Sequence, residues 1–317
     1  MGISDLREMA VLEDKPLSAF AGDTVAIDMH QYLYCYSTVI VRYRSEDVYT
    51  SPDGENLSNI LALGKGIPML LRAGIDPVFV FDGSADVLKQ QTIADRKQTR
   101  EEAIENMKEA AQRGDVEAMR RYRAQSQRIT DTTIETSQQF LDLLGVPYVT
   151  APKAGEKYAA ELMKGGYVDG VMTDDYDSLL FGAPTTIRQY SGSGDAEVMD
   201  LAATLDELGI SQTQLVDIAL LIGTDYNSGV SGIGPKRGLK RIQEHGDIHT
   251  VLDETNASME NVDSLRSIFL ENDSERVEPE NRVDQAERQY NKAIKYGVEL
   301  GLAEDEMTTQ VSRFPGY

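Results

Sequence analysis

The 317-residue chain has one cysteine, three histidines and no tryptophan. The single cysteine, Cys35, can form neither an internal disulfide nor a cluster of thiolate metal ligands. We expect no zinc site built on imidazole groups either, because three histidines (His30, His245 and His249) are too few. Metal chemistry in this chain therefore depends on oxygen ligands.

Targeting signals are also missing. No apolar run approaches the roughly 18 residues of a membrane-spanning helix. The N-terminus has no basic segment followed by an apolar stretch, which argues against secretion. We therefore expect a cytoplasmic protein without a membrane partner.

Basic residues are scarce, with 31 Lys and Arg against 53 Asp and Glu, for a formal net charge of −22. This balance argues at first against nucleic acid as a partner, since proteins that bind it usually carry a basic face. Two interpretations stay open. One is an acidic protein with a small-molecule or protein partner. The other is a protein from a high-salt cytoplasm, where net charge says little about partners because the Debye length is about 3 Å at molar salt.

The positive charge that is present is concentrated in one segment. Residues 89–128 contain ten basic and seven acidic residues, so this segment carries +3 and the rest of the chain −25. A solvated helix with short-range ion pairs, such as Glu105 with Lys108, explains the run as well as a binding site does. The flanking motifs have to decide between the two.

Short apolar strands that end in aspartate recur along the chain. Residues 23–28 and 76–82 are predicted strands, and residues 57–72 between them have helical spacing. Such a strand–helix–strand unit favours a parallel sheet and an α/β fold. Residues 167–173 form a further predicted strand, and the chain beyond residue 200 is mainly helical in pattern.

Four aspartates end or directly follow these strands: Asp28, Asp82, Asp175 and Asp177. One such residue alone is usually a helix cap or a turn residue. At the carboxyl ends of parallel strands the four are expected to meet at one sheet edge, where they repel unless a cation neutralises them. Oxygen ligands suit Mg²⁺ or Mn²⁺, and two such ions can promote an in-line displacement at phosphorus.

A second motif follows an apolar helix in the C-terminal third. Asp225 ends the sequence Leu-Ile-Gly-Thr-Asp, and the motif Gly232-Ile233-Gly234-Pro235-Lys236-Arg237 begins seven residues later. Glycines around an apolar residue, with proline at a helix start, predict a tight turn with free backbone amides. Such a turn can hold a phosphate at the helix N-terminus, with Lys236 and Arg237 beside it.

Together these motifs resemble the flap endonuclease family of structure-specific 5′ nucleases. They occur in the family's order and spacing over residues 1 to about 250. The matching pieces are Met1-Gly2-Ile3, Val25-Ala26-Ile27-Asp28, Val80-Phe81-Asp82-Gly83, Gly145-Val146-Pro147-Tyr148, Ala151-Pro152, Thr173-Asp174-Asp175-Tyr176-Asp177, Gly223-Thr224-Asp225-Tyr226 and the motif from Gly232 to Arg237.

The resemblance implies an α/β fold with a PIN-like parallel-sheet core and helices on both faces. The core would span residues 1–200, with a helical arch at about 84–130. Residues 201–317 would form a helical region with a helix–two-turn–helix element for DNA binding at about 215–253. The implied activity is that of a structure-specific 5′ endo- and exonuclease, which hydrolyses phosphodiester bonds in flapped or branched DNA with two metal ions. The expected location is the cytoplasm, in association with the nucleoid if the source is a prokaryote.

The resemblance also implies roles for individual residues. Metal ligands would be Asp28 and Asp82 for one ion, Asp175 and Asp177 for the second, Glu156 between them, and Asp225 through water. In the arch, Lys89 and Arg96 would contact the scissile phosphate, with solvated helix charges as the alternative. Tyr34 would stack on the base next to the cut, unless it belongs to the core. Residues 232–234 would hold a potassium ion against the duplex backbone.

The chain departs from the family pattern at Ala154, where a metal-ligand glutamate is expected. Glu161 is seven residues further along the helix and is not expected to replace it. A junction-binding protein with weak or no catalysis is therefore the alternative function. A PIN-type ribonuclease is a third, which the long arch and the 232–234 turn disfavour. The C-terminal sequence, residues 310–317, has no recognisable motif for docking on a sliding clamp.

Overall fold

The computed structural model describes residues 4–83, 90–188, 195–271 and 288–317, without the side chains of residues 4, 5 and 90–96. Its centre is one sheet of seven strands. The strands are β1 (Leu12–Pro16), β2 (Thr24–Asp28), β3 (Asp76–Phe81), β4 (Tyr148–Thr150), β5 (Gly170–Met172), β6 (Thr185–Arg188) and β7 (Asp195–Asp200). Their order across the sheet is β1-β7-β6-β5-β2-β3-β4.

The five strands β6, β5, β2, β3 and β4 are parallel, as the sequence predicts. β7 runs antiparallel to both of its neighbours, β6 and β1. β1 has the sequence Leu-Glu-Asp-Lys-Pro, which shows no apolar run and gave no strand prediction. It forms because it is an edge strand, whose side chains stay partly in solvent and whose backbone needs only one partner.

Fourteen α-helices lie in the described part of the chain. They are α1 (Met29–Tyr43), α2 (Ser58–Arg72), α3 (Gln90–Gln112), α4 (Val116–Gln125), α5 (Asp131–Leu144), α6 (Gly155–Lys164), α7 (Asp177–Leu180), α8 (Leu201–Leu208), α9 (Gln212–Ile222), α10 (Pro235–His245), α11 (Ile248–Thr255), α12 (Val262–Leu270), α13 (Tyr290–Glu299) and α14 (Glu304–Val311). None of the described helices is long and apolar enough to cross a membrane.

Two apolar clusters cover the two faces of the sheet. Alternation along β2 shows the division, because Val25 and Ile27 belong to one cluster and Ala26 to the other. The first cluster includes buried residues of α1, α2, α5, α13 and α14, and the second those of α6, α7, α9 and α11. The predicted helices on both faces of a PIN-like core are confirmed.

The segment predicted to form an arch contains two helices, α3 and α4, that pack against each other. Gly114, at a φ of 69°, turns the chain between them, and Asp115 caps α4 by accepting a hydrogen bond from the Ala118 amide at 3.0 Å. α4 also packs against α1 and so connects the pair to the sheet domain. Lys89 lies outside the described residues, and of Arg96 only the backbone, within α3, is described.

Candidate active site

The predicted carboxylates lie where the sheet topology requires. Asp28 ends β2, Asp82 directly follows β3, and Asp175 and Asp177 follow β5. Because β5, β2 and β3 are adjacent and parallel, their carboxyl ends share one edge of the sheet. Asp28 also caps α1, since its Oδ1 accepts a hydrogen bond from the Gln31 amide at 3.0 Å.

Three carboxylates converge closely. One ligand oxygen each of Glu156, Asp175 and Asp177, here called the acidic trio, lies within 4.8 Å of the others, and Asp177 is buried. At that separation two unit charges repel by about 3 kcal/mol for an effective dielectric of about 20. A set of carboxylate oxygens fits a hard divalent cation, which removes this repulsion. The trio can therefore hold a metal ion.

Asp28 and Asp82 form an acidic pair beside the trio. Burial, and after it the charge of Asp82, raises the pKa of Asp28 to about 6, and Asp175 contributes in the same direction. The Oδ1 of Asp82 accepts a hydrogen bond from the Gly155 amide at 2.6 Å, and its Oδ2 lies 3.4 Å from Nδ1 of His30. A cation bound at this pair would favour the ionised form of Asp28.

The N-terminus of α6 stands at the position of the missing glutamate. Ala154 is the N-cap residue and provides no side-chain cap, while the next amide, that of Gly155, binds Asp82. Glu161 is buried on α6 and lies outside the acidic trio. It interacts favourably with Lys164, whose pKa burial lowers.

Asp225 is buried in the turn after α9, and it is not a member of the trio. An isolated bridge between Thr224 and Asn227 fixes this turn, with Thr224 donating its amide hydrogen to the Asn227 carbonyl at 2.9 Å. The role of Asp225 on a metal through water stays a prediction.

The three tyrosines of α1 have different surroundings. Tyr32 is buried, stacks on Tyr36 at 4.5 Å between ring centroids and meets Phe79 edge-on at 5.1 Å. Tyr34 is 49% exposed and borders a small groove that Asn56 and Arg128 also line. Its ring is therefore accessible to a stacking base, which favours the predicted role over a place in the core.

The glycine motif forms the turn between α9 and α10. Gly232 has a φ of 80°, and its carbonyl accepts a hydrogen bond from Nη1 of Arg237 at 2.9 Å. Gly234 caps α10, Pro235 occupies the first helical turn, and no atom lies within 4 Å of the place where a Cβ on Gly234 would stand. The Lys236 side chain is almost fully exposed. The turn thus presents open backbone and two basic side chains to solvent.

Sequence reasoning missed a partly buried ionic cluster beside the trio. It consists of Arg7, Tyr176, Arg188 and Glu197, and is called the Arg188 cluster below. The two arginines hold Glu197 between them, and hydrogen bonding to Arg7 is the largest cause of the lowered pKa of Glu197. The only sequence signal was the position of Tyr176 between two predicted ligands, because residues 7 and 197 are too distant for a local pattern.

Comparison with known proteins gives two family matches along the sequence. The XPG N-terminal domain matches residues 1–103, and the XPG I-region matches residues 145–225. The chain is 42% identical to flap endonuclease 1 of Haloarcula marismortui over 271 residues, which are 86% of this chain and 83% of that protein. Flap endonuclease 1 of Methanothermobacter thermautotrophicus is 36% identical over the whole of this chain.

Solved structures agree with the sequence comparison. Flap endonuclease-1 from Methanococcus jannaschii is similar with a TM-score of 0.73 and 31% identity, over 98% of this chain and 97% of that one. The catalytic core of Rad2 in complex with a DNA substrate has the same fold, with a TM-score of 0.72 at 22% identity over 98% of this chain and 99% of that one. The sequence, its acidic sheet edge and its fold therefore place this chain in the flap endonuclease family.

Proposed function

We propose that this protein is a structure-specific 5′ nuclease, which hydrolyses phosphodiester bonds in flapped or branched DNA with two divalent ions, Mg²⁺ or Mn²⁺. The observation that carries the proposal is the convergence of Glu156, Asp175 and Asp177 within 4.8 Å at the carboxyl edge of the sheet. The names of the archaeal relatives and the DNA-bound Rad2 structure support the substrate class.

The metal ligands are assigned by position. In the proposal, Asp28 and Asp82 hold one ion, Asp175 and Asp177 the second, Glu156 lies between them, and Asp225 acts through water. Bound divalent ions of this kind lower the pKa of an attacking water and stabilise charge on the leaving oxygen. The Gly155 amide orients the Asp82 carboxylate for this task by donating to its Oδ1.

Other residues position the DNA. Tyr34 stacks on the base beside the cut, and Lys89 and Arg96 of the arch contact the scissile phosphate. In the turn between α9 and α10, residues 232–234 bind the duplex backbone through a potassium ion, with Lys236 and Arg237 beside it. The exposure of Tyr34 and Lys236 and the open space at Gly234 support these assignments.

The test uses a labelled duplex with a 5′ flap, incubated with Mg²⁺ at low and molar KCl, with sizing of the products. We expect a product of defined length cut near the junction. A protein that leaves the flap intact with Mg²⁺ and with Mn²⁺ at every salt concentration is not the proposed nuclease. A single-stranded oligonucleotide of the same sequence is the control for structure specificity.

Asp177→Ala is the matched variant for this assay. It removes a buried member of the trio, so we expect single-turnover cleavage to fall by at least about 100-fold, the upper range for loss of an outer-shell partner. Affinity for the flap, measured by fluorescence anisotropy, should stay within about threefold. Near-normal cleavage by this variant contradicts the assignment of the trio.

A junction-binding protein without catalysis remains the second candidate, and Ala154 is the observation that favours it. The N-cap of α6 lacks the carboxylate that the family pattern expects beside Asp82. This candidate predicts tight binding of the flap in Mg²⁺ with no product after prolonged incubation.

An RNA flap of the same sequence in the same assay tests the ribonuclease alternative.

A further inference from the structure

The Arg188 cluster joins Arg188 of β6 and Glu197 of β7 to the segment that bears two of the trio. Nη1 of Arg188 donates to the Tyr176 hydroxyl at 2.6 Å and to Oε1 of Glu197 at 2.5 Å. The Arg188 guanidinium also lies over the Tyr176 ring, 4.4 Å from its centroid. Glu197 and the Arg188 side chain are both largely buried.

Arg188 also contacts the backbone of the same segment. Its Nε donates to the carbonyl oxygen of Asp174 at 3.2 Å. One guanidinium group therefore holds the main chain just before Asp175 and the side chain that lies between Asp175 and Asp177. Since β6 is hydrogen-bonded to β5, this anchor is itself fixed by the sheet.

Arg7 closes the cluster from the N-terminal 3-10 helix (Ser4–Glu8). Its two terminal nitrogens bind the two oxygens of Glu197 at 2.5 and 2.6 Å, and Nη1 also reaches the Tyr176 hydroxyl at 2.9 Å. The paired, fork-like contact is the geometry that arginine makes with a carboxylate and that lysine cannot reproduce. The Tyr176 hydroxyl thus accepts hydrogen bonds from two guanidinium groups.

This arrangement answers a physical problem of the trio. Three carboxylates within 4.8 Å repel one another and tend to separate when no cation is bound. Hydrogen bonds within the segment, such as that from the Asp177 amide to Oδ1 of Asp175 at 3.3 Å, constrain it locally. Arg188 adds contacts from β6, outside the segment, to its backbone and to the Tyr176 side chain.

We propose that Arg188 is a positioning residue for the metal centre, which keeps Asp175 and Asp177 converged before an ion binds, with Arg7 and Glu197 holding its guanidinium in place. The inference rests on the proposed function of the trio as a metal site. It assigns a task to four residues outside the proposed set of metal ligands.

The test measures Mn²⁺ binding directly, by the electron paramagnetic resonance signal of free Mn²⁺, without DNA. Loss of an outer-shell partner weakens metal affinity by about 10- to 100-fold. Because Arg188 acts through the backbone and Tyr176, one contact further from the ion, we expect Arg188→Met to raise the Mn²⁺ dissociation constant by about tenfold, the lower end of that range. Cleavage by this variant should recover at saturating Mg²⁺, because the ligands themselves are intact. Unchanged Mn²⁺ affinity in folded Arg188→Met overturns the inference.

Two further variants keep the test valid if Arg188→Met does not fold. Tyr176→Phe removes only the hydroxyl that both arginines contact, and Arg7→Met changes a half-exposed side chain. Each should raise the Mn²⁺ dissociation constant by about two- to fivefold, and wild-type values in both contradict the inference. Arg188→Lys keeps the positive charge but not the contacts of the guanidinium, so its Mn²⁺ dissociation constant should be close to that of Arg188→Met. A wild-type constant in Arg188→Lys would mean that positive charge alone is sufficient.

Arg266→Met is the matched control. It also removes a largely buried guanidinium from a buried carboxylate, here Asp217, but the Arg266–Asp217 ion pair does not involve the 174–177 segment. Its melting temperature should fall, while its Mn²⁺ affinity should stay within twofold of wild type.

A protein that binds Mn²⁺ normally but cuts no flap refutes the proposed function and leaves this inference intact. A wild-type chain that binds no Mn²⁺ overturns both.

Discussion

Ala154 is the position where the chain departs from the family pattern, and the two proposed functions differ in the effect they expect from it. The amide of the next residue, Gly155, donates to Oδ1 of Asp82 at 2.6 Å and orients that carboxylate, but it supplies no oxygen ligand. A helix N-terminus favours nearby negative charge through its dipole. The acidic pair is therefore oriented by backbone, and it has one ligand fewer than the family pattern expects.

Restoring the carboxylate is the direct test at this residue. Ala154→Glu should lower the Mg²⁺ concentration for half-maximal flap cleavage by about three- to tenfold, since a further oxygen ligand strengthens binding of a hard cation. Ala154→Gln has the same shape without the charge and should give little change. An unaltered Mg²⁺ requirement in the glutamate variant would mean that another group already fills this role.

The residues of the site were predictable to very different degrees. Asp28, Asp82, Asp175 and Asp177 could be found from sequence because each follows a short apolar strand, and parallel strands bring such positions together. The Arg188 cluster could not, because Arg7 and Glu197 are 190 positions apart. Their contact depends on the antiparallel pairing of β1 with β7, and β1 has no strand signature.

At the scale of elements, two glycines in the turn between α9 and α10 have different roles, one in the fold and one in the proposed function. Gly229 has a φ of 70°, and a Cβ there would lie 2.3 Å from the Ile222 carbonyl oxygen. Gly234 has a φ of −107° and open space around it, so alanine fits there. One glycine is needed for the turn itself, and the other leaves the backbone accessible.

Gly234→Ala should therefore reduce DNA binding without disturbing the fold. We expect a melting temperature close to wild type and a loss of affinity for duplex DNA of about tenfold in KCl, because a methyl group blocks approach of the backbone and of the proposed potassium ion. Gly229→Ala is the structural comparison and should lower the melting temperature markedly. Wild-type affinity in Gly234→Ala would exclude the turn as a contact.

The helices around this turn are joined by a buried charge. Asp217 of α9 pairs with Nε of Arg266 on α12 at 2.9 Å and accepts a hydrogen bond from the Ile248 amide at the start of α11. Burial raises the pKa of Asp217 to about 6, against the lowering effect of Arg266. An acid whose pKa is raised by folding keeps its proton to a higher pH in the folded state than in the unfolded state. The free energy of unfolding therefore falls as pH rises from about 4 to about 6.

Asp217→Asn cannot ionise and should lose this dependence. Relative to wild type, its free energy of unfolding should increase by about 1–3 kcal/mol between pH 4 and pH 7, from a pKa shift of about two units. Urea unfolding in molar KCl at several pH values measures the free energy of unfolding of both proteins. The exposed Asp253 of α11 provides the control, since Asp253→Asn should run parallel to wild type. Parallel curves for both variants contradict the account.

The order of helices and the parallel strands were predictable at this scale, because helical spacing, capping residues and apolar runs are local. α5, for example, ends at Leu144 before Gly145, whose φ of 62° only glycine adopts readily. The edge strand β1 was not predictable, since its partner lies about 180 residues away and its own side chains are mostly charged.

For the whole molecule, the charge of −22 and the haloarchaeal relatives are consistent with each other. A protein with this charge has no general basic surface for DNA. Its phosphate contacts must come from a few side chains, in our proposal Lys89, Arg96, Lys236 and Arg237. In the same proposal, stacking of a base on Tyr34 would add about 1–3 kcal/mol that depends little on salt.

DNA affinity should accordingly respond weakly to salt. We expect log affinity against log KCl to have a shallow slope, corresponding to well under eight released counterions, and cleavage to persist in concentrated KCl. The double variant Lys236→Gln, Arg237→Gln should reduce the slope by about two, one for each lost phosphate contact. A slope of eight or more would contradict both this binding mode and the interpretation of the acidic surface.

The position of β1 at the sheet edge has a consequence for biosynthesis. Among the described strands β1 pairs with β7 alone, so residues 12–16 lack this strand partner until residue 200 has left the ribosome. At about 5–20 residues per second this delay is roughly 10–40 s. A charged sequence such as Leu-Glu-Asp-Lys-Pro suits a strand that waits unpaired, because charges and proline discourage pairing with other chains. Arg7 precedes β1 and binds Glu197 of β7, so the Arg188 cluster is complete only after residue 197 has been made.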